Sequence, residues 1–265
     1  MKRLDRALRQ PNPAGRPLPK VFQELGAARR SEILMIAGQP NAGKSMIALW
    51  QSLKWSTEHN LGGLYFSADS AEIGQGTRML SMYTGMPTED AERLLKERDP
   101  EALAKMTETQ RLNWCFEGEL SMDVISDEID NYLTMWGTTP DYIVVDNLMD
   151  VEGPGEGEWD TAKKVTKHLN ILVRDLDTAG VVLAHVSEAE KETPCPPRKA
   201  ILGKCNQKPA MIWTVADGGA QRPIAVVKDR YSKGVDKSGS TATYYEMNPR
   251  NLQFSSSYVR QGWAA

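Results

Sequence analysis

Gly38, Gly43, Lys44 and Ser45 follow one another as G-x-x-x-x-G-K-S, the spacing of a loop that wraps a polyphosphate. The residue types follow from that chemistry. Glycines let the backbone curl until successive N–H groups face inward, and the N-terminus of a following helix adds partial positive charge at the same place. On this reading Gly38, Gln39, Pro40, Asn41, Ala42, Gly43, Lys44, Ser45 and Met46 surround the phosphates; Lys44 meets the β and γ groups and Ser45 ligates magnesium. A glycine-rich turn with an incidental lysine is the competing reading, and the surroundings weigh against it.

Those surroundings are a strand and a helix. Residues 33–37, Ile-Leu-Met-Ile-Ala, form an apolar run suited to a buried strand. Met46, Ile47, Leu49, Trp50 and Leu53 give residues 46–54 the spacing of a helix. Strand, loop and helix thus arrive in the order the cradle requires.

Three further apolar strands end in polar residues. Residues 141–146, Asp-Tyr-Ile-Val-Val-Asp, follow the loop by roughly a hundred positions, and a terminal carboxylate in that place, Asp146, positions magnesium. Residues 180–185 end in His185, and Leu64-Tyr65-Phe66-Ser67 leads to Asp69. Strand C-termini of a parallel sheet line one edge, so Asp69, Asp146 and His185 are expected to converge beside the loop. Asp69 has two readings, a carboxylate holding an attacking water and an N-cap of the next helix; spacing alone favours the cap. His168, near the stripe Ala162, Val165, Leu169, Leu172 and Leu176, reads as structural.

Two basic features remain. Residues 193–210 hold Arg198, Lys199, Lys204 and Lys208 and no acidic residue, a local bias toward phosphate contact in a chain of net charge −3, with a solvated loop as the even alternative. In Lys228-Asp229-Arg230 two cations at alternate positions share one face of a strand.

Composition bounds the rest. At 265 residues the chain can bury a large core, and 25% charged with 40% hydrophobic residues is ordinary for a soluble globular protein. The small negative charge excludes a surface coated in cations, so nucleic-acid contact must be local. No apolar run reaches membrane-spanning length, and the first ten residues lack the apolar centre of a signal peptide. Cys115, Cys195 and Cys205 have no C-x-x-C spacing, which indicates neither a disulfide framework nor a zinc site and fits a cytoplasmic location. Residues 1–30 read as a basic arm and a proline-broken linker, 31–254 as the catalytic domain and 255–265 as a polar tail. Residues 88–111 read as a charged surface excursion, and Ser121 as the cap of a helix carrying Ile125, Ile129 and Tyr132.

These features, in this order, resemble the motor domain of DnaB-type replicative helicases within the RecA-like ATPases, over about residues 17–254. The stretch Phe66-Ser67-Ala68-Asp69-Ser70 through Arg78-Met79-Leu80-Ser81 matches the family's segment after its second strand without a gap. There the family has a glutamate that polarises water; this chain has Asp69, one methylene shorter. His185 takes the place of the family's γ-phosphate-sensing glutamine, a place where RepA helicases also carry histidine. Lys228 and Arg230 match a K-x-R element that reaches the neighbouring subunit's ATP. The loop with Arg198, Lys199, Lys204 and Lys208 occupies the place of a DNA-contacting loop facing a ring's centre.

The resemblance implies an α/β RecA-like P-loop NTPase fold, a mostly parallel sheet flanked by helices with a C-terminal β-hairpin. It implies Mg-ATP hydrolysis at the interfaces of a homo-oligomer, a hexameric ring, acting on single-stranded DNA as helicase or translocase. No helical primase-recruiting domain precedes the motor, as in compact phage and plasmid relatives. Three rival outputs share the core: a RecA-like recombination filament, a KaiC-like ATPase with protein partners, and a nuclease, for which no second carboxylate cluster is apparent.

Overall fold

The computed structural model of the protein describes residues 15–68, 71–109, 111–187, 193–232 and 234–261. Nine strands form one sheet: β1 (Ile33–Gly38), β2 (Gly63–Ser67), β3 (Leu112–Cys115), β4 (Tyr142–Asp146), β5 (Ala179–His185), β6 (Met211–Val215), β7 (Gln221–Asp229), β8 (Thr241–Met247) and β9 (Phe254–Gln261). Their spatial order is β3-β2-β4-β5-β1-β6-β7-β8-β9. The first six run parallel and the last three return antiparallel. The C-terminal hairpin expected from sequence is therefore a ribbon of successive hairpins.

β1 lies at the centre because it is apolar on both sides. Leu34 and Ile36 point into one buried cluster, and Ile33, Met35 and Ala37 into the other. A strand covered on both faces needs a continuous apolar run. Helix α1 (Lys44–His59) packs in the first cluster through Ile47, Leu49, Leu53 and Trp55. Helices α2 (Glu72–Thr84), α3 (Thr88–Lys96) and α4 (Pro100–Thr107) follow β2; α3 and α4 bury Ala91 and Ala102 against Leu80 of α2, forming the surface excursion. On the opposite face, α5 (Met122–Trp136) begins where the Ser121 hydroxyl accepts from Val124 N–H at 3.3 Å. Helix α6 (Glu158–Leu176) buries Ala162, Val165, Leu169 and Val173, while His168 lies on its exposed side.

The register fixes where chemistry can sit. Gly38 at the end of β1 is level with His185 and Val215, and Ser67 is level with Asp146. β7 runs the other way, so Ile224 lies beside Val215 while Asp229 lies beside Met211, at the level where β1 begins. Six residues of strand, about 20 Å, therefore separate the loop edge of the sheet from the edge that carries Arg230.

The segment read as linker packs as part of the core. Leu18, Phe22, Leu25 and Ala28 are buried, and the Trp55 indole donates to the Pro19 carbonyl at 2.8 Å. Prolines stop a helix here, but the apolar side chains between them still find a hydrophobic face. Phe22 stands edge-on to Trp213, Tyr245 and Phe254, with centroids 6.0, 4.8 and 5.5 Å away. Likewise β9 runs into the stretch read as tail by pairing with β8. Residues 1–14 of the arm and 262–265 of the tail lie outside the described residues. Among the described residues no helix is long and apolar enough to cross a membrane.

Phe22→Ala should therefore cost about 3–5 kcal/mol in chemical denaturation, as for a buried phenylalanine. A loss below about 0.5 kcal/mol, the range of surface changes, would mean that residues 18–28 are not docked in solution.

Candidate phosphate-binding site

Between β1 and α1 the backbone turns back on itself. A Cβ at Gly38 would fall 2.7 Å from the Val215 carbonyl oxygen, so β6 passes too close for any side chain there. Gly43 holds φ at 90°, a left-handed conformation that favours glycine. α1 then starts at Lys44 with no side-chain cap and no acidic residue in its first turn. Its leading N–H groups and positive dipole end thus face the loop. Lys44 is buried; its ammonium bends over the loop and donates to the carbonyls of Gly38 at 3.2 Å and Gln39 at 2.9 Å.

Ser45 and Asp146 meet as the strand register requires. The serine hydroxyl donates to one Asp146 oxygen at 3.1 Å, and the Tyr65 hydroxyl donates to the other at 2.9 Å. Burial, together with the charge and hydrogen bond of Asp146, pushes the Tyr65 phenol well above its ordinary pKa, so it stays a donor and orients the carboxylate. A hydroxyl and a carboxylate are hard oxygen ligands. They suit magnesium, which takes one or two carboxylates and fills its remaining positions with phosphate and water. Among the described residues no group of three or more His, Cys, Asp or Glu forms a separate metal cage.

His185 joins the same edge. Asn147 Oδ1 accepts from Met149 N–H at 2.7 Å, which directs Nδ2 toward Asp150 Oδ2 at 2.6 Å and His185 Nε2 at 3.3 Å. Its other ring nitrogen, Nδ1, is 3.5 Å from Lys44 Nζ. The ammonium and the imidazole thus adjoin beside the loop. Asp69 lies outside the described residues, although β2 delivers the chain to this edge, with Ala68 N–H donating to the Asp146 carbonyl at 3.1 Å.

Sequence reasoning missed Tyr65, Asn147 and Arg222. A phenol inside an apolar strand needs a hydrogen-bond partner, and this is the one signal that could have marked Tyr65. Arg222, on β7, gave none. A Cβ on Gly43 would sit 3.4 Å from its Nε, and that atom is buried with no hydrogen-bond partner among the described residues while Nη1 pairs with Asp217.

The remaining cations lie away from the loop. Arg230, half exposed, pairs with Glu32 at 3.0 Å and donates to the Lys208 carbonyl at 3.3 Å. Lys228 donates to the carbonyls of Asn206 and Gln207 at 3.1 and 2.8 Å. Burial, with Arg198 and Arg230 nearby, pulls its pKa down to about 8. Arg198 turns inward onto the Asn206 carbonyl at 3.4 Å, whereas Lys199, Lys204 and Lys208 are exposed. Burial lifts the thiols of Cys195 and Cys205 to about 12 and about 11, which keeps both protonated at neutral pH.

Residues 11–191 match the family model of the AAA domain. The Gene 65 protein of Mycobacterium phage L5 is 29% identical over 240 residues, covering 85% of this chain and 88% of that protein. The Gene 65 protein of Mycobacterium phage D29 is 28% identical over 221 residues, 78% of this chain and 91% of that one. Among solved structures, the ATPase domain of G40P superposes with a TM-score of 0.74 at 13% identity, covering 95% of each chain. A DnaB-like replicative helicase, solved in a study of its interactions with primase, gives 0.71 at 13% identity over 85% of this chain, which spans only 57% of that helicase. A KaiC-like protein from Pyrococcus horikoshii gives 0.61 at 13% identity, covering 91% of this chain and all of the other. At such identities the shared architecture is what these structures establish, a mostly parallel RecA-like sheet with flanking helices. The chain belongs to the AAA domain family, a P-loop ATPase whose fold is that of the DnaB-like helicase ATPase domains.

Proposed function

We propose that the protein is an ATP-driven motor on single-stranded DNA, a helicase or translocase that works as a homo-oligomeric ring of six with Mg-ATP at each subunit boundary. The observation that carries this reading is the separation of Lys44 from Arg230. Both have the chemistry to neutralise phosphate, yet strand register keeps them about 20 Å apart in one copy. A cation so placed can serve a nucleotide only on another subunit. The fold shared with a DnaB-like replicative helicase supports the same arrangement.

In this reading the N–H groups of the loop and Lys44 bind the β and γ phosphates. Ser45 and Asp146 would hold magnesium, which would supply positive charge to neutralise the phosphates. Asp69 orients water, His185 reports the γ-phosphate, and Arg230 with Lys228 stabilises transition-state charge across the boundary. The exposed Lys199, Lys204 and Lys208 meet DNA phosphates; Arg198 braces their loop. The KaiC-like fold match favours one rival, an ATPase acting on protein partners. Hydrolysis unaffected by single-stranded DNA would support that rival.

Arg230→Ala should bind ATP almost normally and hydrolyse it about 10³ to 10⁵ times more slowly, the usual contribution of such an arginine. Mixing it with Lys44→Ala subunits should recover part of the rate, because some boundaries then join an intact loop to an intact arginine. Absence of any recovery in the mixture sinks the shared site.

Lys228 gives the reaction a pH dependence. Its lowered pKa leaves it charged below about 8 and increasingly neutral above. Because the charged form is the useful one, kcat/KM for ATP should fall as pH rises through that value, and Lys228→Arg should stay level to pH about 9.5, arginine remaining protonated there. Matching profiles for the two proteins would remove Lys228 from the reaction.

A further inference from the structure

Lys163, Lys167, Asn170 and Arg174 occur on α6 at intervals of four, three and four, which places them on one face of the helix. That face meets the 3-10 segment Leu202–Gln207. Two cavities lie along the contact. One, about 220 Å³, is lined by Lys163, Lys164, Lys167, Lys204, Lys208 and Asp160. The other, about 250 Å³, is lined by Ser31, Asn170, Arg174, Gln207, Lys208 and Arg230. Gln207 and Lys208 border both, so the two form one groove. From Lys163 to Arg174 it follows about 16 Å of helix.

The charge of this groove is one-sided. Its carboxylate, Asp160, is paired with Lys164 at 2.7 Å. Among the described residues, Lys163, Lys167, Lys204 and Lys208 make no ion pair. Like charges set this close repel, and an extended anion would relieve them. At the Lys163 end stands Trp159, 47% exposed. A Cβ on Gly203 would lie 3.6 Å from its ring and 3.4 Å from Ala162 Cβ, so the indole adjoins the turn that presents Lys204. A small anion gives no account of an exposed indole, and a duplex keeps its base faces stacked inside. Cations in a row beside an exposed aromatic ring are the means by which proteins hold single strands, phosphates on the charges and a base on the ring.

We propose that single-stranded nucleic acid lies in the groove between α6 and the 202–208 segment, its phosphates on Lys163, Lys167, Lys204 and Lys208 and one base stacked on Trp159. The assignment rests on the DNA-motor reading and adds helix α6 to the loop lysines as a binding element. The probe is fluorescein-labelled oligo-dT, its anisotropy followed with the full-length protein at several salt concentrations. Lys163→Ala combined with Lys167→Ala should weaken binding tenfold or more and reduce the slope of log affinity against log salt by about 1.4, two phosphate contacts at about 0.7 each. Trp159→Ala should weaken binding at least fivefold with the slope unchanged, as expected for lost stacking. ATP binding at Lys44 should persist in both, which establishes that they fold. If the lysine pair changes neither affinity nor slope while Lys204→Ala with Lys208→Ala abolishes binding, the groove is refuted and the DNA reading survives. Unaltered affinity in Trp159→Ala removes the stacking contact. Failure of the unmodified protein to bind oligo-dT overturns the parent reading itself.

Discussion

The parallel pairing of β1 between β5 and β6 is the constraint on which the rest of the molecule depends. It is enforced from both faces, since Leu34 and Ile36 fill one cluster and Ile33, Met35 and Ala37 fill the other. A slip of one residue would exchange the two sets. Held in register, β5 brings His185 level with Gly38, while β4, in register with β2, brings Asp146 to the same edge. The chain then reverses at β7, which sets Arg222 against the phosphate loop and carries Lys228 and Arg230 to the far edge. One pairing pattern thereby gathers the groups that can hold a phosphate and separates Lys228 and Arg230 from them.

Local stability is sacrificed at the loop for the same end. A carboxylate in the first turn of α1 would stabilise the helix by about 0.3–1 kcal/mol, yet it would also occupy the donors and repel an incoming phosphate. The chain has none there. The Lys44 ammonium instead donates to two backbone carbonyls, partners that a phosphate oxygen can replace without leaving a buried charge stranded. Tyr65 serves the same purpose beside Ser45. Its neutral hydroxyl orients Asp146 without competing for the carboxylate's charge.

What the sequence disclosed was whatever is encoded locally. The glycine spacing, the apolar strands and the polar residue ending each one are short-range patterns, and from them the loop, Asp146 and His185 could be located. Residues 18–28 were misread because prolines announce only where a helix stops, whereas Phe22 is buried by Trp213, Tyr245 and Phe254, partners remote in sequence. Arg222 reaches Gly43 solely through the β6–β7 reversal. Lys163 and Lys167 carry no local signal, because the groove they line forms only when a loop some forty residues later folds against their helix. Asp69, with its two readings as a water-holding carboxylate and as an N-cap, lies outside the described residues.

The far edge gathers its cations on one short piece of backbone. Lys228 donates to the carbonyls of Asn206 and Gln207, and Arg230 to that of Lys208, so both cations grip the segment that walls the basic groove. In the proposed motor, Arg230 must let go of Glu32 and the Lys208 carbonyl to face a neighbour's phosphate. On a half-exposed arginine each such contact contributes up to about 1 kcal/mol, so the two together reach the lower end of typical coupling energies, about 1–3 kcal/mol. Nucleotide arriving on one subunit would therefore loosen the DNA-facing wall of the next by direct contact, with no relay through the core. Linkage makes the effect reciprocal: a strand that draws Lys208 into the groove also weakens the hold on Arg230, and so favours its transfer to the nucleotide.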